Sequence, residues 1–102
     1  MKTRVVIRPP VRDFIAALAP APRRKLWAAI KSLPDGKGDV IQLEGGLAPF
    51  FRLRVDKVRV VFEEKSAGGE RVLVCFFADY RATVYKTLSQ IVASNLLGEL
   101  RG

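Results

Sequence analysis

The sequence predicts one α+β domain in which the elements follow in the order β-α-α-β-β-β-α. Two alternating runs flank Asp56-Lys57, residues 71–77 are apolar on both faces, and helical periodicity occurs before residue 34 and after residue 82. A chain of 102 residues with 49% apolar side chains supports one core. We therefore expect a single domain over residues 1–102, with an antiparallel meander of strands two to four and helices packed on one face of the sheet.

The N-terminal third predicts a strand and a helical hairpin. Residues 4–8 form a short apolar run that stops at Pro9-Pro10, which is typical of a strand. Residues 11–19 carry apolar side chains at helical spacing, and a second helix is predicted with Pro22 in its first turn and Pro34-Asp35-Gly36 at its end. The apolar stripe of this second helix consists of Leu26, Ile30 and Leu33, with Trp27 beside it.

Residues 35–49 are rich in glycine and predict a connecting loop with little regular structure. Leu43 is the expected anchor of this loop to the core. The Gly45-Gly46 pair has no following Gly-Lys-Ser/Thr and no helix after it, so it is interpreted as a turn rather than a phosphate-binding loop.

The two runs around Asp56-Lys57 predict a hairpin with one apolar and one cationic face. If Asp56-Lys57 is the turn, Phe51, Leu53 and Val55 face Phe62, Val60 and Val58 on one side of the sheet. The other side then carries Arg54 against Arg59 and Arg52 against Val61. Like charges directly opposite each other are destabilising, so the three arginines predict an anionic ligand on this face.

The C-terminal part predicts a central strand and a last helix. Residues 66–69 form a turn, and the run 71–77, apolar on both faces, is typical of a strand covered on two sides. Helical periodicity begins at Ala82, and Gly98 is the expected end of this helix. Its apolar positions are Val84, Tyr85, Leu88, Ile91, Val92 and Leu96.

The charge balance favours an anionic partner. The chain has 18 Lys and Arg against 10 Asp and Glu, a net charge of +8. Such an excess favours nucleic acid as partner, although solubility alone would also explain it. The basic run Arg23-Arg24-Lys25 and Lys31 lie on the exposed face of the helical hairpin, where they form either an ordinary solvated surface or contacts to RNA phosphates.

The single cysteine and the absence of histidine limit the catalytic and metal-binding chemistry that the chain can perform. Cys75 is the single cysteine, which excludes an internal disulfide and fits a buried strand residue in a reducing compartment. The chain has no histidine, and so lacks the usual general base and the commonest metal ligand. The N-terminus shows no signal peptide and no apolar run is long enough to span a membrane. We expect a soluble, cytoplasmic protein without a metal or cofactor.

The hairpin and the segment from Tyr80 to Tyr85 together carry a family resemblance. Their order and spacing resemble the RelE/ParE superfamily of bacterial toxins of toxin-antitoxin systems, over nearly the whole chain. The resemblance implies a microbial RNase-like fold and one of two activities. RelE-type toxins are mRNA interferases that cut mRNA in the ribosome and inhibit translation, whereas ParE-type toxins inhibit DNA gyrase. It also implies a cognate antitoxin protein that holds the toxin inactive.

The resemblance implies particular site residues. Arg52 and Arg54, with Lys57 at the turn, match basic strand positions that would bind RNA phosphates. Arg59, Arg81 and Tyr85 match family positions that take part in catalysis. Two departures stand beside these matches, because RelE itself has an arginine at the position of Asp79 and other members use a C-terminal histidine.

Metal-independent RNA cleavage needs a proton acceptor, charge stabilisation on phosphate and a proton donor. Arginines supply charge stabilisation, with Arg59 the first choice, and the Tyr85 ring can stack on a base or its hydroxyl can transfer a proton. No proton acceptor is obvious, and Arg54, Arg81 and Glu63 stay open for that role. Three hypotheses follow: a ribosome-dependent endoribonuclease, a gyrase inhibitor without nuclease activity, or a degenerate member that only binds its antitoxin.

Overall fold

The computed structural model describes residues 2–94 as a five-stranded sheet with helices on both faces. The strands are β1 (Thr3–Ile7), β2 (Asp39–Gln42), β3 (Phe51–Val55), β4 (Val58–Ala67) and β5 (Glu70–Tyr80), and the helices are α1 (Pro9–Ala16), α2 (Pro20–Lys31) and α3 (Val84–Ala93). The sheet order is β1-β5-β4-β3-β2. β1 pairs parallel to β5 and the other pairs are antiparallel, so the predicted α+β class and meander are confirmed.

The predicted element order is wrong by one strand. Residues 35–49, expected to be irregular, contain β2 between two short 3₁₀ turns, Leu33–Asp35 and Gly45–Leu47. The observed order is therefore β-α-α-β-β-β-β-α. β2 has only four residues, all exposed, and it lies at the sheet edge, where packing leaves little hydrophobic pattern in the sequence. Leu43, directly after it, is buried as expected.

The helices cover both faces of the sheet rather than the one that was predicted. α1 and α2 pack on the face that carries Leu53 and Val60. α3 packs on the opposite face through Val84 and Leu88, against Val61 and other apolar residues. Because β5 is buried on two sides, both clusters need a helical cover.

Pro9 and Pro20 lie inside the first turns of helices rather than in the connections before them. Pro9 and Pro20 occupy the first positions of α1 and α2, where a missing backbone N–H costs nothing. α1 thus begins two residues earlier than predicted, and Pro22 lies in the first turn of α2, as predicted. The predicted end of the last helix at Gly98, together with Leu96, lies outside the described residues.

The hairpin turn at Asp56-Lys57 is confirmed, and it is held against α2. Asp56 adopts a left-handed conformation with φ of +53°, which an aspartate tolerates better than most residues. Its carboxylate lies 2.9 Å from Lys25 Nζ. The backbone N–H of Arg81 donates to Lys57 O at 2.7 Å. The turn, the end of β5 and the start of α3 therefore meet at one end of the sheet.

Candidate functional site

The hairpin places Arg52, Arg54 and Arg59 on one face of the sheet, as predicted. In the β3–β4 register Arg54 pairs with Arg59 and Arg52 pairs with Val61. The opposite face of the same strands buries Leu53 and other side chains under α1 and α2. Core packing on one face thus fixes which face presents the arginines, since a slip by one residue would bury them.

An acidic residue flanks the arginine pair on each side. Asp39 in β2 pairs with Arg54, Arg54 with Arg59, and Arg59 with Asp79 in β5. We call this line of four residues, which crosses four strands, the charged row. Directly paired residues of antiparallel strands point to the same face, so the four side chains share one surface. The acids offset part of the repulsion between the two central arginines.

Asp39 binds two of the three arginines. Its Oδ1 accepts a hydrogen bond from Arg52 Nη1 at 3.0 Å, and its Oδ2 lies 2.7 Å from Arg54 Nε. Arg52 Nη1 also donates to the Asp39 backbone carbonyl at 2.9 Å. The hydrogen bond from Arg52, with the positive charge of both arginines, holds the pKa of Asp39 below its ordinary value. Asp39 therefore stays ionised at neutral pH and acts as an internal anion for the site.

Arg59 and Asp79 are neighbours in register, but their side chains bind elsewhere. Arg59 Nη1 donates to the backbone carbonyls of Asp56 at 2.9 Å and Val58 at 3.0 Å. The Asp79 carboxylate accepts from the Tyr80 backbone N–H at 2.8 Å and from the Thr83 hydroxyl at 2.9 Å. Asp79 thus organises the connection from β5 to α3. The aspartate at this position, where RelE has an arginine, therefore has a structural role in this chain.

Arg81 lies in the turn between β5 and α3, and Tyr85 is the second residue of α3, which begins at Val84 rather than at Ala82 as predicted. The Arg81 side chain is exposed and has no hydrogen-bond or ion-pair partner among residues 2–94. Tyr85 is half-buried and packs beside the apolar cluster under α3. The backbone bond from Arg81 to Lys57 keeps Arg81 at the hairpin turn. Lys57 itself lines an apolar pocket of about 280 Å³ with α2 residues, away from the charged row.

Neither Glu63 nor Cys75 is placed to act as a base or nucleophile beside Arg59. Glu63 shares the arginine face, but four residues of extended strand place it about 13 Å along β4 from Arg59. Its side chain is 5% exposed and its Oε1 lies 3.1 Å from Lys65 Nζ. Cys75 is fully buried, and burial raises the pKa of its thiol to about 12, so it is no nucleophile at neutral pH.

The described part of the chain shows neither a metal-ligand cluster nor a membrane-spanning helix. Residues 2–94 contain no group of three or more Cys, Asp or Glu side chains arranged to hold a metal ion. No helix in that part has the length and hydropathy needed to cross a membrane.

Asp39 is the site-forming residue that sequence reasoning missed. Its strand was interpreted as loop, so its carboxylate was not placed opposite Arg54. The available signal was the β-branched pair Val40-Ile41 after Gly38, which is too short to predict a strand by itself. Pairing with β3 creates the strand, and that information is not local.

Comparison with known proteins supports the fold. Neither a family model nor a curated protein matches the chain. Among solved structures, the chain is similar to a RelB-RelE antitoxin-toxin complex from Methanococcus jannaschii, with 14% identity and a TM-score of 0.57 over 80% of this chain and 96% of that chain. The archaeal RelE-RelB complex from Pyrococcus horikoshii OT3 gives 24% identity and a TM-score of 0.55, over 79% and 97%.

The chain has the RelE fold. The match covers almost the full length of the RelE-like chains. At these identities the likeness concerns the backbone, and the chemistry has to be argued from the side chains of this chain.

Proposed function

We propose that the protein is a RelE-like toxin, a ribosome-dependent mRNA endonuclease that inhibits translation and is neutralised by an antitoxin. The observation that carries this proposal is that Arg54 and Arg59 are direct partners on one face of the sheet in a RelE fold, with the Arg54 side chain 54% exposed. Two guanidinium groups in direct register form a binding surface for a phosphodiester, which pairs with them bidentately. The proposed cellular location of the protein is the cytoplasm, where ribosomes and mRNA are found.

In this proposal the arginines stabilise the charge that develops on phosphate. The ribose 2′-oxygen attacks the adjacent phosphorus, and the bond to the leaving 5′-oxygen breaks. Arg59 would bind the phosphate oxygens during this step, with Arg52 and Arg54 holding the neighbouring backbone and Lys57 adding positive charge at the turn. Preorganised donors help most where charge appears only in the transition state.

Arg81 and Tyr85 would act at the other side of the same phosphate. Arg81 is exposed, without a side-chain partner among residues 2–94, and held beside the hairpin by its backbone. It is therefore available for a phosphate oxygen or the leaving group. Tyr85 would stack on a base next to the cut, since unpaired RNA bases stack readily on aromatic rings.

The proton acceptor is assigned to the ribosomal complex. The two carboxylates that share the charged row with Arg59, those of Asp39 and Asp79, are both occupied by hydrogen bonds. A carboxylate whose pKa is lowered, like that of Asp39, is a weak base. Dependence on the ribosome follows naturally, because free RNA would then lack a group to take the 2′-proton.

An antitoxin is the proposed protein partner. The structures that share the fold were solved as complexes of RelE with RelB. The net charge of +8 and the arginine face favour an acidic segment that covers the charged row. Such a segment would bind the same arginines as mRNA, and would block cleavage by competition.

Purified protein on programmed ribosomes tests the proposal. We expect cuts in mRNA at the codon in the decoding site and none in the same RNA without ribosomes. A parallel reaction with DNA gyrase and supercoiled DNA gives the second arm. Intact mRNA with trapped gyrase-DNA complexes would contradict the proposal in favour of gyrase inhibition. Intact mRNA with unaffected gyrase would leave only antitoxin binding.

A further inference from the structure

A second cationic surface lies on the outer side of α2, on the opposite face of the sheet from the charged row. Arg24, Trp27, Ala28 and Lys31 line an open groove of about 480 Å³. Their spacing of three, one and three residues puts them on one side of the helix. Trp27 is half-buried, because it packs against the core cluster on one side and borders this groove on the other. We call these four residues the α2 platform.

No carboxylate within residues 2–94 binds the cations of the α2 platform, of which Lys31 lies over the Trp27 ring, whereas the other basic residues of the helix are engaged by oxygen acceptors. Arg23 donates to the Leu18 backbone carbonyl at 2.9 Å, and Lys25 binds the Asp56 carboxylate. In contrast, Arg24 has no hydrogen-bond or ion-pair partner within residues 2–94. Lys31 Nζ lies 5.7 Å from the centroid of the Trp27 ring and has no carboxylate partner in the same range.

The geometry around Trp27 suits a planar, anionic ligand. Arg24 and Lys31 are seven residues apart, which places their backbones about 10 Å apart along the helix axis with the indole between them. The small side chain of Ala28 leaves space beside the ring. A cation on either side of an accessible aromatic ring is the arrangement with which proteins bind single-stranded nucleic acid.

We propose that the α2 platform is a second nucleic-acid site, which stacks an unpaired base on Trp27 while Arg24 and Lys31 bind the flanking phosphates. Sequence tolerance follows, because every base has a π face and the phosphates are identical. An acidic protein segment fits less well, since an amphipathic helix needs an apolar groove and the platform offers only one ring and one methyl group as apolar surface. The site does not depend on the proposed cleavage activity.

Intrinsic fluorescence gives a direct test, because Trp27 is the single tryptophan of the chain. The full-length protein is titrated with a 12-nucleotide oligo(U) at 50 mM and 200 mM salt. We expect saturable quenching whose affinity falls steeply with salt. Arg24→Ala/Lys31→Ala should weaken binding about tenfold or more. The matched double variant Lys2→Ala/Lys37→Ala, which removes the same charge from other exposed positions, should change it less than threefold.

Ring substitutions separate stacking from simple charge attraction. Binding is then followed by anisotropy of labelled oligo(U) in the Arg54→Ala/Arg59→Ala background, which removes binding at the charged row, with circular dichroism to confirm folding. Trp27→Phe keeps a ring and should retain most of the affinity, whereas Trp27→Leu keeps an apolar side chain and should lose about tenfold. Equal affinities of these two variants would overturn base stacking. Quenching by poly-glutamate as strong as that by oligo(U) would overturn it too.

Variants of the charged row show whether the two sites are independent. Arg54→Ala/Arg59→Ala should leave the Trp27 quenching in place. Loss of quenching in this variant, with retention in Arg24→Ala/Lys31→Ala, would show that the indole only senses binding on the other face and would overturn the proposal. Failure of mRNA cleavage with intact quenching would count against the proposed enzyme and not against the α2 platform.

Discussion

Asp39 lies directly opposite Arg54 in the β2–β3 pair, with its Oδ2 2.7 Å from Arg54 Nε and its Oδ1 3.0 Å from Arg52 Nη1. One carboxylate thus uses both of its oxygens on two of the three arginines that we propose to bind RNA. A phosphate has to compete with this internal anion. The edge strand β2, which the sequence did not predict, therefore sets the strength of the arginine site.

We expect Asp39→Asn to strengthen RNA binding at the charged row. The amide retains the size of the side chain but loses the charge that holds Arg52 and Arg54. The pair with Arg54 is exposed, so its loss predicts a gain in RNA affinity of roughly fivefold. Anisotropy of a labelled RNA in the Trp27→Leu background measures this site apart from the α2 platform.

Glu70→Gln is the matched control for Asp39→Asn. It also removes one negative charge, and so raises the net charge by one. It also breaks an exposed ion pair, that of Glu70 Oε2 with Arg4 Nε at 3.0 Å, but this pair joins β1 and β5. Its effect on affinity should stay below twofold. Equal gains from both variants would mean that net charge alone acts, and a loss in Asp39→Asn would mean that Asp39 positions the arginines instead of competing.

Acid should destabilise the protein partly through Asp39 and Glu64. The hydrogen bond from Arg52 lowers the pKa of Asp39, and that from Arg71 lowers the pKa of Glu64. Their folded-state pKa values lie below the ordinary values of 3.8 and 4.5, so the stability they contribute is complete above these values and is lost as the pH falls through the lowered ones. Urea midpoints at pH 7, 5, 4 and 3 measure the decline. A double variant, Asp39→Asn/Glu64→Gln, should decline less steeply, and parallel curves would refute this source of acid sensitivity.

Gly38→Ala should destabilise the protein and displace Asp39. Gly38 has a φ of +106°, and an added Cβ would lie 2.9 Å from Leu53 Cδ1 in the core. Strain and contact together are expected to cost about 1–3 kcal/mol. Gly46→Ala is the control, because nothing lies within 4 Å of its Cβ position. Urea unfolding of both variants makes the comparison, and equal stabilities would show that β2 adjusts freely.

Asp79→Ala should loosen the start of α3. It removes the acceptor for the Tyr80 N–H and the Thr83 hydroxyl, at a cost of about 1–2 kcal/mol in unfolding free energy. The control Asp13→Ala removes an exposed carboxylate of α1 that has no side-chain partner among residues 2–94, and should change stability by less than about 0.5 kcal/mol. If Asp79→Ala were as stable as Asp13→Ala, the connection would not depend on this carboxylate.

The parts of the fold that the sequence predicts are those whose side chains alternate strongly between core and surface. The register of β3 and β4 around Asp56-Lys57 follows from period-two alternation, and it brings Arg54 to Arg59 as expected. α1, α2 and α3 follow from apolar periodicity in the same way. In each case the spacing of apolar residues along the chain reflects which side chains are buried in the core.

The missed features depend on contacts distant in sequence. β2 exists because β3 supplies its hydrogen bonds, and the cover of α3 on the second face follows from the two-sided burial of β5.

The rate of mRNA cleavage by Arg59→Ala on programmed ribosomes tests the central claim most directly. If Arg59 stabilises charge on the phosphate, its removal should slow cleavage about 10²–10³-fold, as loss of one preorganised donor does in other enzymes, with the circular dichroism spectrum unchanged. Arg4→Ala, on the distant strand β1, should cut at the rate of the unaltered protein. Cleavage by Arg59→Ala at that same rate, or intact mRNA with the unaltered protein, would contradict the account.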